Sequence, residues 1–473
     1  MSVTEDTFMT RLFGTQGFRG IVNVELTSTI AHDLGYALAI HLGLGKTVGI
    51  GWDTRISSEM LVLAFSSGLM KGGCNVQQLG LVPTPLLSYA LPRLRLDAGV
   101  MVTASHNPPE FNGFKLWAAD GASFTSTMSQ KVEDHYFTST PAEVSWKTCG
   151  YLVQTEDFRP QYVRALKQQV DSGLIEKQQY KVVADCGGGA ASTIIPTLLE
   201  AIGVQPELLF CTPDGHFQNR LPEPKAENLT RLMSTVKKTK ADIGMAWDGD
   251  ADRIVLVTET GRYLMGDRTF ALATYHRLRH LPTKQKRIVT QVATSDVLGD
   301  VASAVGAELV TTCVGEPNIV LKMKEIDAQI GGEENGGVVY QGWSWTREGM
   351  LTALFILELM AQEAQTLEQL DKQFPTYYQV KDRIACMNSL KTPLMERISQ
   401  QVPGDMECEL IDGVKLRSSM GWVLLRPSGT EPIFRIFAEA KTENHAKSLV
   451  DKGLSMAKDA LEEVQRSSNR RSD

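Results

Sequence analysis

Through the first three quarters of the chain, short apolar runs rich in Val, Ile, Ala and Gly alternate with segments whose apolar positions recur every three to four residues. The short runs predict buried strands and the longer period predicts amphipathic helices, and their alternation is what sheets with crossover helices require. One unit runs from a strand at Thr47 to Asp53, through a helix at Ser58 to Lys71, to a strand at Ala98 to Ser105. A second begins at Tyr180 to Gly189 and, after the helical TIIPTLLEAIG, reaches Asp242 to Arg253. A third leads from Arg287 to Thr294 through AELVTTCVGE to Gln329 to Gly337. The recurrence is one of topology rather than of a short repeated sequence, which excludes a solenoid. From about Tyr377 the pattern changes to strands and one long amphipathic helix at Asn444 to Val464, and the chain ends in a polar tail, RSSNRRSD. The class is α/β: three similar mixed α/β domains at 1–150, 151–260 and 261–375, and a smaller C-terminal α+β domain at 376–473.

Composition narrows the function classes. The chain has 473 residues with 48 Lys and Arg against 55 Asp and Glu, a net charge of −7, so neither nucleic acid nor anionic lipid is an expected partner. Seven cysteines without a Cys-x-x-Cys pair read as buried or incidental thiols in a reducing compartment. The N-terminus lacks a basic stretch followed by an apolar run, and the most apolar helix, Met350 to Ala361, is interrupted by Glu358. Neither secretion nor a membrane span is expected, and the cytoplasm is the expected location.

The sharpest chemical signal is Asp248-Gly-Asp250-Ala-Asp252-Arg253, directly after the strand-like IGMAW. Alternate spacing projects three carboxylates toward one side, and hard oxygen ligands on one loop suit Mg2+. An EF-hand fits poorly, because Arg253 stands where its turn wants glycine and a strand-like run follows. An aspartyl-phosphate nucleophile and a solvated acidic turn are the other readings.

Thr103-Ala-Ser105-His106-Asn107-Pro-Pro follows another apolar strand, with Asn112-Gly-Phe-Lys115 just beyond. A serine on such a turn, with imidazole, amide and ammonium nearby, has what a phosphate carrier needs, although the same residues also build ordinary turns. Arg426-Pro-Ser428-Gly429-Thr430-Glu431-Pro joins two strand-like runs and offers either a phosphate nest or a hairpin turn. Phe13-Gly-Thr-Gln-Gly-Phe-Arg19-Gly is a glycine-rich loop with one arginine. Gly43-Leu-Gly-Lys-Thr47 lacks the first glycine of a Walker loop, and Asp185-Cys-Gly-Gly-Gly189 lacks the dinucleotide spacing.

Taken together, FGTQGFRG, TASHNPPEFNGFK, DGDADR, GEENGG and RPSGTEP occur in an order and spacing that resemble the α-D-phosphohexomutase superfamily over nearly the whole chain. That resemblance implies four domains around a central cleft and a reaction interconverting hexose 6-phosphate and hexose 1-phosphate through a phosphoserine and a 1,6-bisphosphate. It implies that Ser105 carries the phosphate and that Mg2+ bridges it to Asp248, Asp250 and Asp252. Lys115 and His106 are the implied acid/base groups, and Arg19 and Arg253 hold charge at the transferring phosphoryl. Glu333 and Asn335 would bond the sugar ring, while Arg426, Ser428, Gly429 and Thr430 would clamp the second phosphate. The hexose 1,6-bisphosphate is the implied activator, the protein a monomer or homodimer, and the last domain a lid hinged near Pro375.

One departure bears on substrate. Many members end the sugar loop with Ser-Gly-His, whereas this chain has Asn335-Gly336-Gly337. With Val314 to Asn318 upstream and Thr346 to Gly349 downstream, the loop looks most like the archaeal-type branch. An acidic Glu334 points slightly toward an amino sugar, hence phosphoglucosamine mutase, with a phosphomannomutase or phosphoglucomutase of broad specificity as the alternative. A phosphatase or sugar-phosphate binding protein is the alternative of a different class.

Overall fold

The computed structural model describes residues 12–14, 17–138, 144–429 and 431–469, and among them four sheets follow one another along the chain. The first is mixed, in the spatial order Phe18–Ile21, Phe111–Ala118, Ala98–Val102, Thr47–Trp52, Asn75–Leu81 and Leu152–Val153. Thr47–Trp52 lies between two parallel neighbours and is nearly all buried, which is why it reads as an unbroken apolar run. Helices Ser28–Leu42 and Ser58–Lys71 pack together on this sheet. Their contact needs glycine: a Cβ at Gly35 would collide with the Phe65 carbonyl, and one at Gly68 with the His32 carbonyl.

The second sheet has the order Tyr263–Leu264, Ile254–Thr258, Ile243–Trp247, Val182–Asp185 and Glu207–Leu209. The third has the order Glu308–Thr312, Arg287–Gln291, Ile330–Gly332 and Val338–Tyr340. One continuous apolar core joins these units, and the helix Gly349–Glu363 runs through it, buried from Gly349 to Ala361. Its charged interruption is accommodated rather than exposed: Glu358 accepts the Asp171 N–H at 2.7 Å and pairs with His276 Nε2 at 2.8 Å. Among the described residues no helix is long and apolar enough to cross a membrane.

Two sequence expectations need correction. Cys186 and Cys211 are not separate thiols but form a disulfide with a Cα–Cα distance of 4.9 Å. They follow neighbouring parallel strands in which Asp185 lies opposite Leu209, a register that brings positions 25 apart side by side and leaves no trace in local spacing. The C-terminal helix is also longer than its apolar stripe, spanning Glu443–Asn469, so the tail is helical up to Asn469. Its last four residues lie outside the described ones.

The fourth sheet is wholly antiparallel, in the order Tyr378–Ala385, Ile433–Ala440, Gly421–Pro427, Val414–Ser418 and Glu407–Glu409, and has its own core beneath the long helix. Against the third unit it sets only a small apolar seam of Val292, Ala293, Trp422 and Leu424. Polar groups complete the seam. Lys415 Nζ donates to the Val292 carbonyl at 2.6 Å, Arg417 pairs with Asp296 at 3.0 Å, and Glu439 accepts the Asp296 N–H at 2.8 Å. On the unit-III side, Arg268 Nη1 donates to the Pro375 carbonyl at 2.6 Å, anchoring the connecting segment.

Burial, with Arg417 nearby, pulls the Lys415 ammonium down to about 8. Between that value and the free lysine value of about 10.4, the unfolded chain binds the proton that the folded chain has released, so stability from this group rises with pH across the window. The expected gain is up to about 3 kcal/mol. Denaturation at pH 7.5 and pH 10 should show it as a difference between wild type and Lys415→Met; identical pH responses would refute it.

Candidate active site

The site is built where the ends of strands from the first two units face each other. Ser105 follows Ala98–Val102 and sits in the left-handed region at φ 51°, uncommon for a residue with a side chain. Its backbone is held from both sides: its N–H donates to Thr103 Oγ1 at 2.8 Å, and its carbonyl accepts Arg55 Nη2 at 2.9 Å. Arg55 also donates to the carbonyls of Asn107, Pro108 and Phe111 at 2.6 to 2.8 Å. Its Nε rests on Asp53, whose carboxylate also accepts from Thr103 and Ser58. A buried guanidinium has therefore replaced water as the donor for four carbonyls of this turn. Arg55→Met would leave Asp53 buried without its cation, and a loss of about 3–5 kcal/mol is expected in urea denaturation. An unchanged midpoint would show that the turn holds itself.

The acidic motif joins Ile243–Trp247 to Ile254–Thr258 as a tight turn in which Ala251 is left-handed and its N–H bonds the Asp248 carbonyl at 3.2 Å. This turn gathers Asp248, Asp250 and Asp252, each offering an oxygen within 4.8 Å of the others. All three are buried. The first unit docks on the turn directly: the Thr84 N–H bonds the Asp250 carbonyl at 3.0 Å, and Thr84 Oγ1 donates to Asp250 Oδ2 at 2.6 Å. Gly249 packs so closely against the Ser105 carbonyl that a Cβ could not be placed there. Below it, Arg220 links Asp185 to the Trp247 carbonyl.

Ser105 Oγ donates to Asp248 Oδ2 at 2.9 Å, so the serine and the acidic motif, 143 positions apart, form one site. Lys115 Nζ donates to Asp250 at 2.7 Å and Asp252 at 3.2 Å. Arg253 Nη2 lies 3.4 Å from Ser105 Oγ and 2.6 Å from His106 Nδ1, an arrangement in which the imidazole nitrogen accepts. Arg19 donates to Asn107 Oδ1 at 2.8 Å.

The electrostatics follow from burial and crowding. Burial, then repulsion from Asp252 and Asp250, raises Asp248 to about 7. Burial pushes Asp252 the same way, but Arg347, Lys115 and Arg253 outweigh it and hold that carboxyl well below the ordinary range. Burial and the cations Arg253, Arg19 and Lys115 keep His106 neutral, far below the usual imidazole value. Burial and Arg253 lower Arg19 to about 10. Asp250 Oδ1 and Asp252 Oδ1 are buried without a hydrogen-bond partner. Two such oxygens beside a third carboxylate have the donor chemistry of a hard divalent cation site.

Glu333 and Asn335 lie on the turn between Ile330–Gly332 and Val338–Tyr340. Asn335 Oδ1 accepts the Gly337 N–H at 3.1 Å, and Glu333 is paired with Arg347. Glu334 is half-buried and accepts from the Gln291 side-chain amide. In the fourth unit, Arg426 Nε donates to Asp412 at 2.9 Å, and the same carboxylate oxygen accepts the Val314 N–H across the seam at 2.9 Å. Ser428 Oγ accepts the Glu431 N–H, Gly429 has open space around it, and Thr430 lies outside the described residues, as do Thr15 and Gln16 of the first glycine-rich loop. This cluster thus stands at the seam of the third and fourth units, apart from the Ser105–Asp248 contact.

Sequence reasoning missed Asp53, Arg55, Thr84 and Arg220, which hold the site together without belonging to its motifs. Asp53-Thr-Arg55 does carry a signal, since charged residues directly after an apolar parallel strand sit where α/β sheets bind ligands. Arg220 carries none.

Four segments match the descriptions of one family: "Phosphoglucomutase/phosphomannomutase, alpha/beta/alpha domain I" at residues 10–143, domain II at 160–261, domain III at 265–378, and the C-terminal domain at 366–453. The chain is 38% identical over 457 residues to a phosphoglucomutase/phosphomannomutase of Thermococcus kodakarensis, covering 96% of this chain and 100% of that one. It is 36% identical over 457 residues to a probable phosphoglucosamine mutase of Methanopyrus kandleri, with the same coverage. Among solved structures, a putative phosphomannomutase from Thermus thermophilus superposes with a TM-score of 0.80 at 29% identity, covering 94% of this chain and 98% of that one.

Proposed function

Because the chain belongs to the phosphoglucomutase/phosphomannomutase family of phosphohexomutases, we propose that it interconverts hexose 6-phosphate and hexose 1-phosphate with Ser105 as the phosphate carrier, and that its preferred sugar is glucosamine. The observation that carries this reading is the 2.9 Å contact from Ser105 Oγ to a triad of buried carboxylates.

Phosphoserine at 105 gives its phosphoryl group to the free hydroxyl of the sugar monophosphate, leaving the serine hydroxyl and a 1,6-bisphosphate. The bisphosphate turns over, its other phosphate returns to Ser105, and the isomeric monophosphate leaves. Phosphoryl transfer asks for positioning and charge neutralisation more than for covalent chemistry. Arg253 and Arg19 supply fixed positive charge beside the serine. Lys115 and the neutral His106 are the groups to take and return the hydroxyl proton. Asp248, Asp250, Asp252 and the serine phosphate would hold Mg2+, which when bound neutralises the phosphoryl oxygens. Arg426, Ser428, Gly429 and Thr430 grip the phosphate that stays put and read no sugar, so both orientations are accepted. A hexose 1,6-bisphosphate serves as activator by loading Ser105.

Two features support the amino sugar: the half-buried carboxylate of Glu334 on the sugar loop, and the names of relatives such as the Methanopyrus protein. The name of the Thermococcus relative favours the alternative, a mutase of broad specificity for mannose and glucose phosphates. Purified protein assayed with Mg2+ and the matching 1,6-bisphosphate should turn over glucosamine 1-phosphate with the highest kcat/KM. Equal rates on the mannose and glucose phosphates would establish the broad mutase, and phosphate release without isomerisation would overturn the mutase reading.

A further inference from the structure

The sugar loop carries a glycine, Gly337, and the space a side chain there would need is filled from elsewhere. A Cβ at Gly337 would fall inside the contact distance of Arg347 Cδ and Cγ, and Gly337 has ordinary negative-φ backbone, so the glycine answers to room rather than to conformation. Arg347 comes from the segment just before the helix Gly349–Glu363. That helix start is fixed on the metal loop: Trp247 Nε1 donates to the Gly349 carbonyl at 3.1 Å, and Gly349 packs against the Ala251 carbonyl. Glu348 caps the helix through the Met350 and Leu351 N–H groups.

From this position the buried guanidinium reaches three carboxylates on three separate segments, two turns and the first residue of the helix Glu316–Ile326. It pairs with Asp252 of the acidic turn, with Glu333 of the sugar loop, and through Nε with Glu316 at 3.0 Å. Glu316 is itself bonded by Ser123 Oγ of the first unit at 2.6 Å and Thr346 Oγ1 at 2.9 Å. A planar fork of donors suits such a three-way tie, and a point-charge ammonium does not.

We propose that Arg347 is a positioning residue for sugar recognition: it occupies the place left by Gly337, aims Glu333 at the sugar ring, and locks that aim to the acidic turn where phosphoryl transfer takes place. The sugar loop and the metal loop then move as one body, so a ring that misfits Glu333 also sits badly against Ser105. This inference rests on the mutase reading above.

Three variants test it. Arg347→Ala removes the tie, Arg347→Lys keeps charge without the fork, and Gly337→Ala leaves Arg347 in the sequence but adds the methyl group that evicts it. The expected result for Arg347→Ala and Gly337→Ala is a rise in KM for the hexose phosphate of about tenfold or more, the size typical of lost positioning contacts. The ratio of kcat/KM between glucosamine and mannose 1-phosphates should fall toward one, and Arg347→Lys should lie between. Arg279→Ala, which breaks a tie to Glu363 at the opposite end of the helix Gly349–Glu363, should lower stability without touching KM or discrimination. If Arg347→Ala fails to fold, Gly337→Ala and Arg347→Lys decide. An active wild type whose folded variants keep KM and discrimination within about twofold, a spread no larger than ordinary context effects, would overturn the role of Arg347 alone. A wild type inert on every hexose phosphate would overturn the mutase reading and this inference with it.

Discussion

Ser105→Ala should abolish mutase turnover, with a loss of at least about 10³-fold, because removal of an obligatory nucleophile leaves only the residual effect of binding and fixed charge. The fold should survive. The lost hydroxyl makes one direct bond to Asp248 and longer contacts with Arg253 and His106, worth about 0.5–1.5 kcal/mol for a typical bond. The left-handed backbone at position 105 is held by Thr103 and Arg55, which the substitution leaves in place, and alanine tolerates φ 51° about as poorly as serine does. The measurement is twofold: a coupled assay for isomerisation, and intact mass after exposure to the 1,6-bisphosphate. Wild type should acquire one phosphoryl group and the variant none. A variant that still isomerises at a comparable rate would remove Ser105 from the reaction; one that no longer isomerises but still gains a phosphoryl group would place the carrier elsewhere.

What the sequence made legible follows from how far apart the cooperating residues lie. The acidic turn could be read because its three carboxylates are two positions apart, directly after an apolar strand, and the Ser105 turn because its polar residues are contiguous. Three α/β units and the change to an α+β last unit were visible in the same periodicities, since a strand buried on both faces has to be apolar throughout; that the last sheet is wholly antiparallel was not. The ties between units were not. Thr84 on Asp250, Arg55 under the Ser105 turn and Ser123 on Glu316 join positions 166, 50 and 193 apart, and no local pattern encodes such a pairing. The Cys186–Cys211 pair escaped for the same reason, because only sheet register brings it together. Arg347 and Glu316 sat in segments noted for their likeness to one branch, yet their work became visible only when Gly337 was seen to have made room.

The buried carboxylates set up the second large effect, and its sign is opposite for stability and for activity. Asp248, Asp250 and Asp252 stand within one turn, out of water, with Lys115, Arg253 and Arg347 only partly neutralising them and two oxygens left without a hydrogen bond. Without a divalent cation this cluster costs stability, so neutralising one member should stabilise the metal-free protein. Asp248→Asn, melted at pH 8 in the presence of a chelator, is expected to be more stable than wild type by about 1–4 kcal/mol, because burial and the neighbouring carboxylates raise Asp248 and each pH unit by which an ionised group is raised costs about 1.4 kcal/mol. The remaining carbonyl oxygen of the asparagine can still accept from Ser105. Addition of Mg2+ should reverse the order. At a concentration about 100 times the dissociation constant, binding to the folded state alone adds about 2.7 kcal/mol to wild type, whereas the variant, one ligand short, should respond little. Turnover should vanish on chelation, return on restoring Mg2+ to wild type, and stay absent in Asp248→Asn. A variant less stable than wild type without metal would mean that the three carboxylates are already satisfied by their cations, and an undiminished Mg2+ response would move the ion away from this turn.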